Sequence, residues 1–302
     1  MIRTATVPFQ RSLTNSIQVA QGRLDVTQKQ LATGKKANDL AELGGQAQRI
    51  LSARTLLAAQ EAQGTNATRL GTTLSLYDAN ISNIDASVTE LRRQLLTIVG
   101  TGDTAGLQGA IDGAFGQVNA ALNAGDGSGP LFAGSQEDAK PFKPNSVTET
   151  VGMTAADAFG NDDIRASARV ADGLDVTYGV TASELGSGLL TVFQTLGALG
   201  PIGAKLTTAQ KDALTTALGQ IDDALPGIRQ VNGENGRRQA QAETLATRAD
   251  DRATLLKGVI SEVEDADYGE IATNLQQQQA QLRASYSVFS QLSNLSLVDY
   301  IR

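Results

Sequence analysis

Apolar residues recur at alternating spacings of three and four in the first segment of the chain. The positions are Leu13, Ile17, Ala20, Leu24, Thr27 and Leu31. This spacing is typical of a coiled-coil helix. Gly34 predicts that the helix ends near Thr33, because glycine readily adopts the left-handed conformation at a helix end. Asp39 with Glu42 three residues later resembles a capping box, which predicts that a second helix begins near Asp39.

The longest periodic run fills ten of ten expected positions with apolar residues. These are Ala67, Leu70, Leu74, Tyr77, Ile81, Ile84, Val88, Leu91, Leu95 and Ile98. One helix from Asp39 to Val99 would be about 90 Å long at 1.5 Å per residue. The pattern therefore predicts an elongated molecule, and residues 107–118 predict a shorter antiparallel return helix.

The same periodicity returns in the C-terminal half of the chain. Thr207 with Gln210 predicts a helix start, and apolar positions follow from Leu214 to Val263. Three polar residues, Asn232, Asn235 and Gln239, interrupt that stripe. Pro226 lies inside the pattern, so we expect a kink or a helix start there. A last stripe carries Ile271, Leu275, Leu282, Phe289 and Leu292.

A different pattern separates the two helical halves. Alternating residues on both sides of Asp172-Gly173 predict a β-hairpin with a type I′ turn. The expected fold is mainly α, an elongated helical bundle with a terminal coiled coil and an inserted β-containing domain. The expected division is a terminal coiled-coil domain (1–38 and 265–302), a helical rod (39–130 and 205–264) and a β-rich outer domain (131–204).

The last segment, residues 286–302, distributes apolar residues all around the predicted helix. Such a helix must be buried on every side. We expect the terminal segments to be poorly ordered in a monomer and to become helical when copies pack together. The alternative is a C-terminal helix docked in the chain's own core. The expected self-assembly residues are Leu13, Ile17, Leu24, Leu31, Leu275, Leu282, Tyr286, Phe289, Leu292 and Leu295.

Composition removes several classes of function. The 302 residues include no Cys and no His, which excludes disulfides, thiolate nucleophiles, imidazole bases and ordinary zinc sites. Adjacent carboxylates such as Asp162 and Asp163 do not form an acid–base pair on one helix face, and the Asp265–Gln276 stretch lacks the glycine and glutamate of a calcium loop. We expect no enzyme activity, cofactor or metal site.

The charge of the chain argues against nucleic-acid binding, because the net charge is −7 and the sequence shows no segregated basic face. No signal peptide or membrane-spanning run is expected.

Several motifs resemble bacterial flagellins and the flagellin-like hook-associated proteins. The C-terminal matches are residues 265–275 (DADYGEIATNL), 282–286 (LRASY) and 292–297 (LSNLSL). Further matches are residues 31–35 (LATGK), 236–239 (GRRQ) with Glu243, and 130–135 (PLFAGS) followed by 140–142 (KPF). The last motif is similar to the start of the outer domain in the hook-associated proteins of the hook–filament junction.

The resemblance implies a structural subunit at the hook–filament junction of the bacterial flagellum. The implied partners are further copies of the chain, the hook-side junction protein, flagellin and an export chaperone. The implied location is extracellular, after export through the flagellar channel without a cleaved signal peptide. A filament flagellin, and less so a carbohydrate-binding flagellin homologue, are the alternatives within the family. A coiled-coil signalling or adhesion module is the alternative outside it.

Overall fold

The structure is a computed structural model that describes residues 3–37 and 39–298. The helices are α1 (Arg3–Thr33), α2 (Ala47–Thr101), α3 (Leu107–Leu122), α4 (Ala155–Ala158), α5 (Ala182–Gly197), α6 (Thr208–Glu264) and α7 (Tyr268–Val298). The strands are β1 (Ala166–Ala171) and β2 (Leu174–Tyr178). Single 3-10 turns cover Gly44–Gln46 and Thr148–Thr150. The prediction of a mainly α fold with a small β element is confirmed.

The chain divides into two compact units. Unit 1 comprises residues 1–59 and 252–302, and unit 2 comprises residues 60–251. Both buried apolar clusters lie in unit 2. The three-part division expected from the sequence stays a prediction. Residues 131–204 contain two short strands and also the sixteen-residue α5, so this segment holds less strand than the expected β-rich domain.

The long apolar stripe of α2 packs as the sequence predicts. All ten positions from Ala67 to Ile98 are buried in unit 2. Their partners include the buried faces of α3, α5 and the first half of α6. The spacing of three and four places these side chains on one face of the helix, which explains why the pattern identified them without knowledge of the fold.

The start of α2 differs from the prediction. The helix begins at Ala47 rather than near Asp39 and ends at Thr101. The Asp39 carboxylate does accept a hydrogen bond from the Glu42 amide, at 2.9 Å. A turn and the 3-10 segment follow it, because Gly44 adopts a left-handed conformation with φ of 54° that an α-helix does not contain. The end of α1 at Thr33, followed by Gly34 with φ of 67°, is confirmed.

The predicted start of α6 is also confirmed. The Gln210 amide donates to the Thr207 hydroxyl at 3.2 Å, and the Thr207 amide donates to the Gln210 side chain at 3.1 Å. The helix continues through Pro226, so the predicted alternative of a helix start there is wrong. The polar positions face α2: the buried Asn235 donates to the Leu74 carbonyl at 2.8 Å, and Gln239 donates to the Ser75 hydroxyl at 2.8 Å.

The predicted β-hairpin is present, but its turn is not type I′. β1 and β2 pair antiparallel, from Ala166 opposite Tyr178 to Ala171 opposite Leu174. A type I′ turn needs positive φ at both central residues. Gly173 has φ of 69°, whereas no non-glycine residue in the described chain, Asp172 included, has positive φ. A bulge between Arg169 and Ala171 adapts the register to this turn.

The segment that begins at Pro130 is fastened to α2 and to a later loop. The Tyr77 hydroxyl donates to the Leu131 carbonyl, and the Tyr77 and Phe132 rings meet edge to face at 5.1 Å. The Asp162 carboxylate accepts hydrogen bonds from the backbone and side chain of Ser135 and from the Ile164 amide. These bonds lower the pKa of Asp162. The carboxylate therefore acts as a structural acceptor that closes this loop.

Candidate self-assembly surface

Helices α1 and α7 form an antiparallel pair in unit 1. At one end, Lys35 and Asp265 form a β-bridge, and the Ala266 amide donates to the Gly34 carbonyl at 2.9 Å. Further along, the Gln21 side-chain amide donates to the Tyr286 hydroxyl at 2.6 Å. The two helices therefore run side by side for several turns, as the opposed stripes of α1 and α7 require.

A charged cluster fixes the base of this pair. Glu264 is buried, and its carboxylate lies 2.8 Å from the Arg54 guanidinium and 3.6 Å from the Lys35 amine. The Lys35 amine also donates to Asp265 at 2.5 Å. This bond raises the pKa of Lys35 and lowers that of Asp265. The Lys36 amide donates to the Glu264 carbonyl at 2.7 Å, so the connection after α1 is tied to the end of α6.

The eight predicted self-assembly residues whose side chains the structure describes fall into three groups. Ile17 and Leu282 are buried within this chain. Leu13, Leu24 and Leu275 are half-buried in the α1–α7 pair. Leu31, Tyr286 and Phe289 are exposed. The side chains of Leu292 and Leu295 lie outside the described part of the chain. The single chain thus covers some of the predicted contacts and leaves others open, and their role in assembly stays a prediction.

Unit 1 exposes more large apolar side chains than unit 2, although it is smaller. Of the exposed ones that the structure describes, eleven belong to unit 1 and five to unit 2. The eleven are Val19, Val26, Leu31, Leu40, Leu51, Leu56, Leu255, Tyr268, Tyr286, Val288 and Phe289. Exposed apolar patches mark protein interaction sites, and these side chains are the candidates for one. Unit 1 therefore carries the candidate functional surface.

One groove in this surface was missed by the sequence reasoning. It has a volume of about 380 Å³ and is lined by Val19, Gly22, Arg23, Val26, Thr27 and Gln278. Val19 and Val26 are 55% and 47% exposed. They lie beside the predicted stripe rather than in it, so a search for the dominant periodic face passes over them. The spacing of Val19, Gly22 and Val26 on a second face of α1 is the signal that could have revealed the groove.

Two aspartates of unit 2, Asp162 and Asp222, have structural partners. Asp222 pairs with Arg92, which lowers the pKa of Asp222, and Asp162 closes the loop described above. Across residues 3–37 and 39–298, no group of three or more His, Cys, Asp or Glu side chains is arranged to hold a metal ion. No helix within those same ranges is long and apolar enough to cross a bilayer.

Comparisons with known proteins find matches to flagellar proteins. Residues 218–301 match the bacterial flagellin C-terminal helical region. The flagellar hook-associated protein 3 of Salmonella typhimurium is 23% identical over 243 residues, covering 74% of this chain and 76% of that protein.

Two solved structures share the fold. A flagellar hook-associated protein from Vibrio parahaemolyticus has a TM-score of 0.61 at 18% identity, covering 74% of this chain and 100% of that one. FlgL from Bacillus cereus has a TM-score of 0.59 at 16% identity, covering 70% and 99%. The chain therefore resembles flagellins in its C-terminal helical region and hook-associated protein 3 along most of its length, and it shares the fold of solved flagellar hook-associated proteins.

Proposed function

We propose that this chain is a structural subunit of the bacterial flagellum at the hook–filament junction. Its role is mechanical rather than catalytic, and its partners are further copies of itself, the hook-side junction protein and flagellin. The likeness to hook-associated protein 3 along three quarters of both chains supports the junction assignment. In this proposal the chain is exported with the help of a chaperone, without a cleaved signal peptide, and functions outside the cell.

The observation that carries the proposal is the contrast between the two units. Unit 2 contains both buried apolar clusters, whereas unit 1 exposes eleven large apolar side chains without such a cluster among its described residues. Exposed apolar area is costly in water and is stabilised when a partner removes it from solvent. A structural subunit that completes unit 1 with neighbouring copies accounts for this difference.

The proposed mechanism is coupled folding and assembly of α1 and α7. Within the pair, the buried side chains at seam positions include Ile17, Thr27, Ile271 and Leu282, and one of these four is polar. A helix pair with so little buried apolar surface gains limited stability from tertiary packing. Contacts from neighbouring subunits then supply the remaining burial, and helix ordering and assembly occur together.

Replacement of exposed apolar residues tests this mechanism. We expect Phe289→Asp with Leu292→Asp to abolish assembly, because a charge cannot be buried unpaired between subunits. The thermal unfolding of unit 2 should be unchanged. Ile164→Asp is the matched control, since Ile164 is exposed in unit 2 and lies outside the proposed surface. If the replacements abolish both assembly and the unfolding transition of unit 2, the proposal that the exposed residues of unit 1 serve assembly and not the stability of unit 2 is contradicted.

A filament flagellin is the second candidate, and the match to the flagellin C-terminal region favours it. Electron microscopy of isolated flagella, with an antibody against residues 131–204, separates the two. A junction subunit gives one labelled band where the hook meets the filament. Labelling along the whole filament would establish the flagellin alternative, and absence of label from flagella would reject both candidates.

A further inference from the structure

The polar residues that interrupt the stripe of α6 include two asparagines that are each followed by glycine. These are Asn232-Gly233 and Asn235-Gly236, and no other Asn-Gly pair occurs in the 302 residues. Both pairs lie inside α6, where glycine is unfavourable because it loses more backbone freedom than any other residue. A Cβ built at either glycine would meet nothing within 4 Å. Neither helix stability nor packing therefore accounts for the two Asn-Gly pairs.

Both asparagines hold α6 against α2. Asn235 is 1% exposed, and its side-chain amide donates to the Leu74 carbonyl at 2.8 Å. The Asn232 side-chain amide donates to the Ser82 hydroxyl at 3.3 Å. A carboxylate at position 235 would lose the donor and would bury a charge beside a carbonyl oxygen, which is strongly unfavourable. Asn235 is thus a position at which conversion to aspartate would weaken the α2–α6 pair.

An Asn-Gly pair is prone to spontaneous loss of the side-chain amide, because glycine has no Cβ to obstruct the approach of its backbone nitrogen. In this reaction the Gly236 nitrogen gives its proton to solvent hydroxide and bonds to the side-chain carbonyl carbon of Asn235. The side-chain nitrogen takes a proton from water and leaves as ammonia, and a five-membered imide remains. Water then opens the imide at either of its carbonyls and leaves aspartate or isoaspartate. The reaction needs only water and hydroxide, and nothing is oxidised or reduced.

The helix holds the Asn235-Gly236 pair in a form that does not react. In an α-helix each amide donates to the carbonyl four residues earlier, so the Gly236 amide is bonded to the Asn232 carbonyl. The Asn235 side chain is directed toward Leu74 and away from the Gly236 nitrogen. Reaction therefore requires local opening of α6, and the two glycines lower the free energy of that opening.

We propose that Asn232-Gly233 and Asn235-Gly236 form a latent deamidation site that folding closes and unfolding opens. In the folded chain, the pairing of α6 with α2 prevents the reaction. In a chain that remains unfolded, Asn235 is converted to aspartate or isoaspartate, and the product no longer donates to Leu74. Isoaspartate also adds a methylene group to the backbone and interrupts the helix. All these residues belong to unit 2, so the proposal is independent of the assembly of unit 1.

Peptide mass spectrometry of the full chain measures the reaction. In mildly alkaline guanidinium chloride, Asn235 should be deamidated at least about tenfold faster than in the same buffer without denaturant, because only the open helix reacts. Asn119 is the control, since it also donates to a backbone carbonyl from within a helix but is followed by Ala120. In denaturant, Asn119 should react at least about tenfold more slowly than Asn235. Equal rates at Asn235 with and without denaturant, or at the two asparagines in denaturant, would overturn the proposal.

Replacements test the consequence for folding. Asn235→Asp reproduces the aspartate product and should lower the ratio of folded to unfolded chains by more than about tenfold. Asn66→Asp is the control, because Asn66 also donates to a backbone carbonyl, that of Arg169, but is exposed, so water hydrates the new carboxylate. Failure of Asn235→Asp to fold while Asn66→Asp folds would support the proposal, and equal stabilities of the two variants would refute it.

A second variant keeps both asparagines and removes their reactivity. Gly233→Ala with Gly236→Ala should slow deamidation of the unfolded chain at least about tenfold, because the added methyl groups obstruct ring closure. After prolonged unfolding, a larger fraction of this variant than of the native chain should refold on dilution, as measured by circular dichroism. If both chains lose the ability to refold at the same rate, deamidation at these pairs does not limit refolding and the proposal fails.

Discussion

Tyr77 offers a quantitative test of how the central segment is attached to α2. Its side chain is 5% exposed, its ring contacts Phe132, and its hydroxyl donates to the Leu131 carbonyl. Burial raises the pKa of Tyr77 from 10.0 to about 12, and the nearby Tyr178 and Asp126 add smaller contributions in the same direction. Tyr77→Phe removes the hydroxyl and leaves the ring in place, so it isolates the contribution of the polar atom.

The variant has two expected effects. At pH 7 the free energy of unfolding should fall by about 1–3 kcal/mol, because a buried carbonyl loses its donor. At alkaline pH the difference in free energy of unfolding between the two chains should decrease. The pKa of Tyr77 is higher in the folded than in the unfolded chain, so its stabilising contribution is complete below pH 10 and is lost as the pH rises to about 12. A rise of this size corresponds to about 2.7 kcal/mol. The native chain should therefore lose its advantage over Tyr77→Phe across this window.

Urea unfolding followed by far-ultraviolet circular dichroism measures both effects. Curves for the native chain and for Tyr77→Phe, recorded at intervals from pH 7 to pH 12, give the difference between their free energies of unfolding. Effects of alkali on other groups are common to both chains and cancel in the difference. Tyr268→Phe is the control, because Tyr268 is 59% exposed and lies in unit 1. A difference that stays constant from pH 7 to pH 12 would refute the assignment of Tyr77 as a buried donor.

Three further predictions concern the loops and the base of the α1–α7 pair. Gly134→Ala should lower the free energy of unfolding of unit 2 by about 1–3 kcal/mol, measured in urea, because the φ of Gly134 is 71° and an added Cβ would collide with Asp162. Gly127→Ala is the control. Gly127 has φ of 91° but lies in open space, so its replacement should lower the free energy of unfolding by less. The pKa of Asp162 is lowered in the folded chain, so its stabilising contribution is present above the ordinary aspartate pKa and is lost in acid as the pH falls through the folded value. Asp162→Asn should flatten this acid dependence of the unfolding temperature. Glu264→Gln should accelerate hydrogen exchange at the Lys36 amide, because the Glu264 carboxylate no longer holds Arg54 and Lys35 at the end of α6. An unchanged exchange rate would show that this charged cluster does not hold the segment after α1 in place.

The sequence was most informative where structure repeats locally. The ten apolar positions from Ala67 to Ile98 were identified from spacing alone, because burial in a helical bundle follows the period of the helix. The capping pair of Thr207 and Gln210 was readable for the same reason, since both partners lie within one turn.

The features that the sequence did not reveal depend on residues far apart in the chain. Asp162 accepts hydrogen bonds from Ser135, 27 residues earlier, and no local pattern marks either residue as a partner. The start of α2 was placed too early because the capping signal at Asp39 is real but belongs to a turn that precedes Gly44. The apolar character of the candidate surface was predicted, whereas the groove beside Gly22 was not, because Gln278 of α7 forms part of its lining.

The pairing of α1 with α7 also sets the order of folding events during synthesis. Gln21 and Tyr286 are 265 residues apart, and the groove on α1 is also lined by Gln278 of α7. A chain that is still emerging from a ribosome has α1 available long before α7. The helix pair, and the groove that it lines, are therefore absent until α7 has appeared. Any association that needs both helices has to wait until α7 has been made, so chain connectivity alone sets its earliest moment.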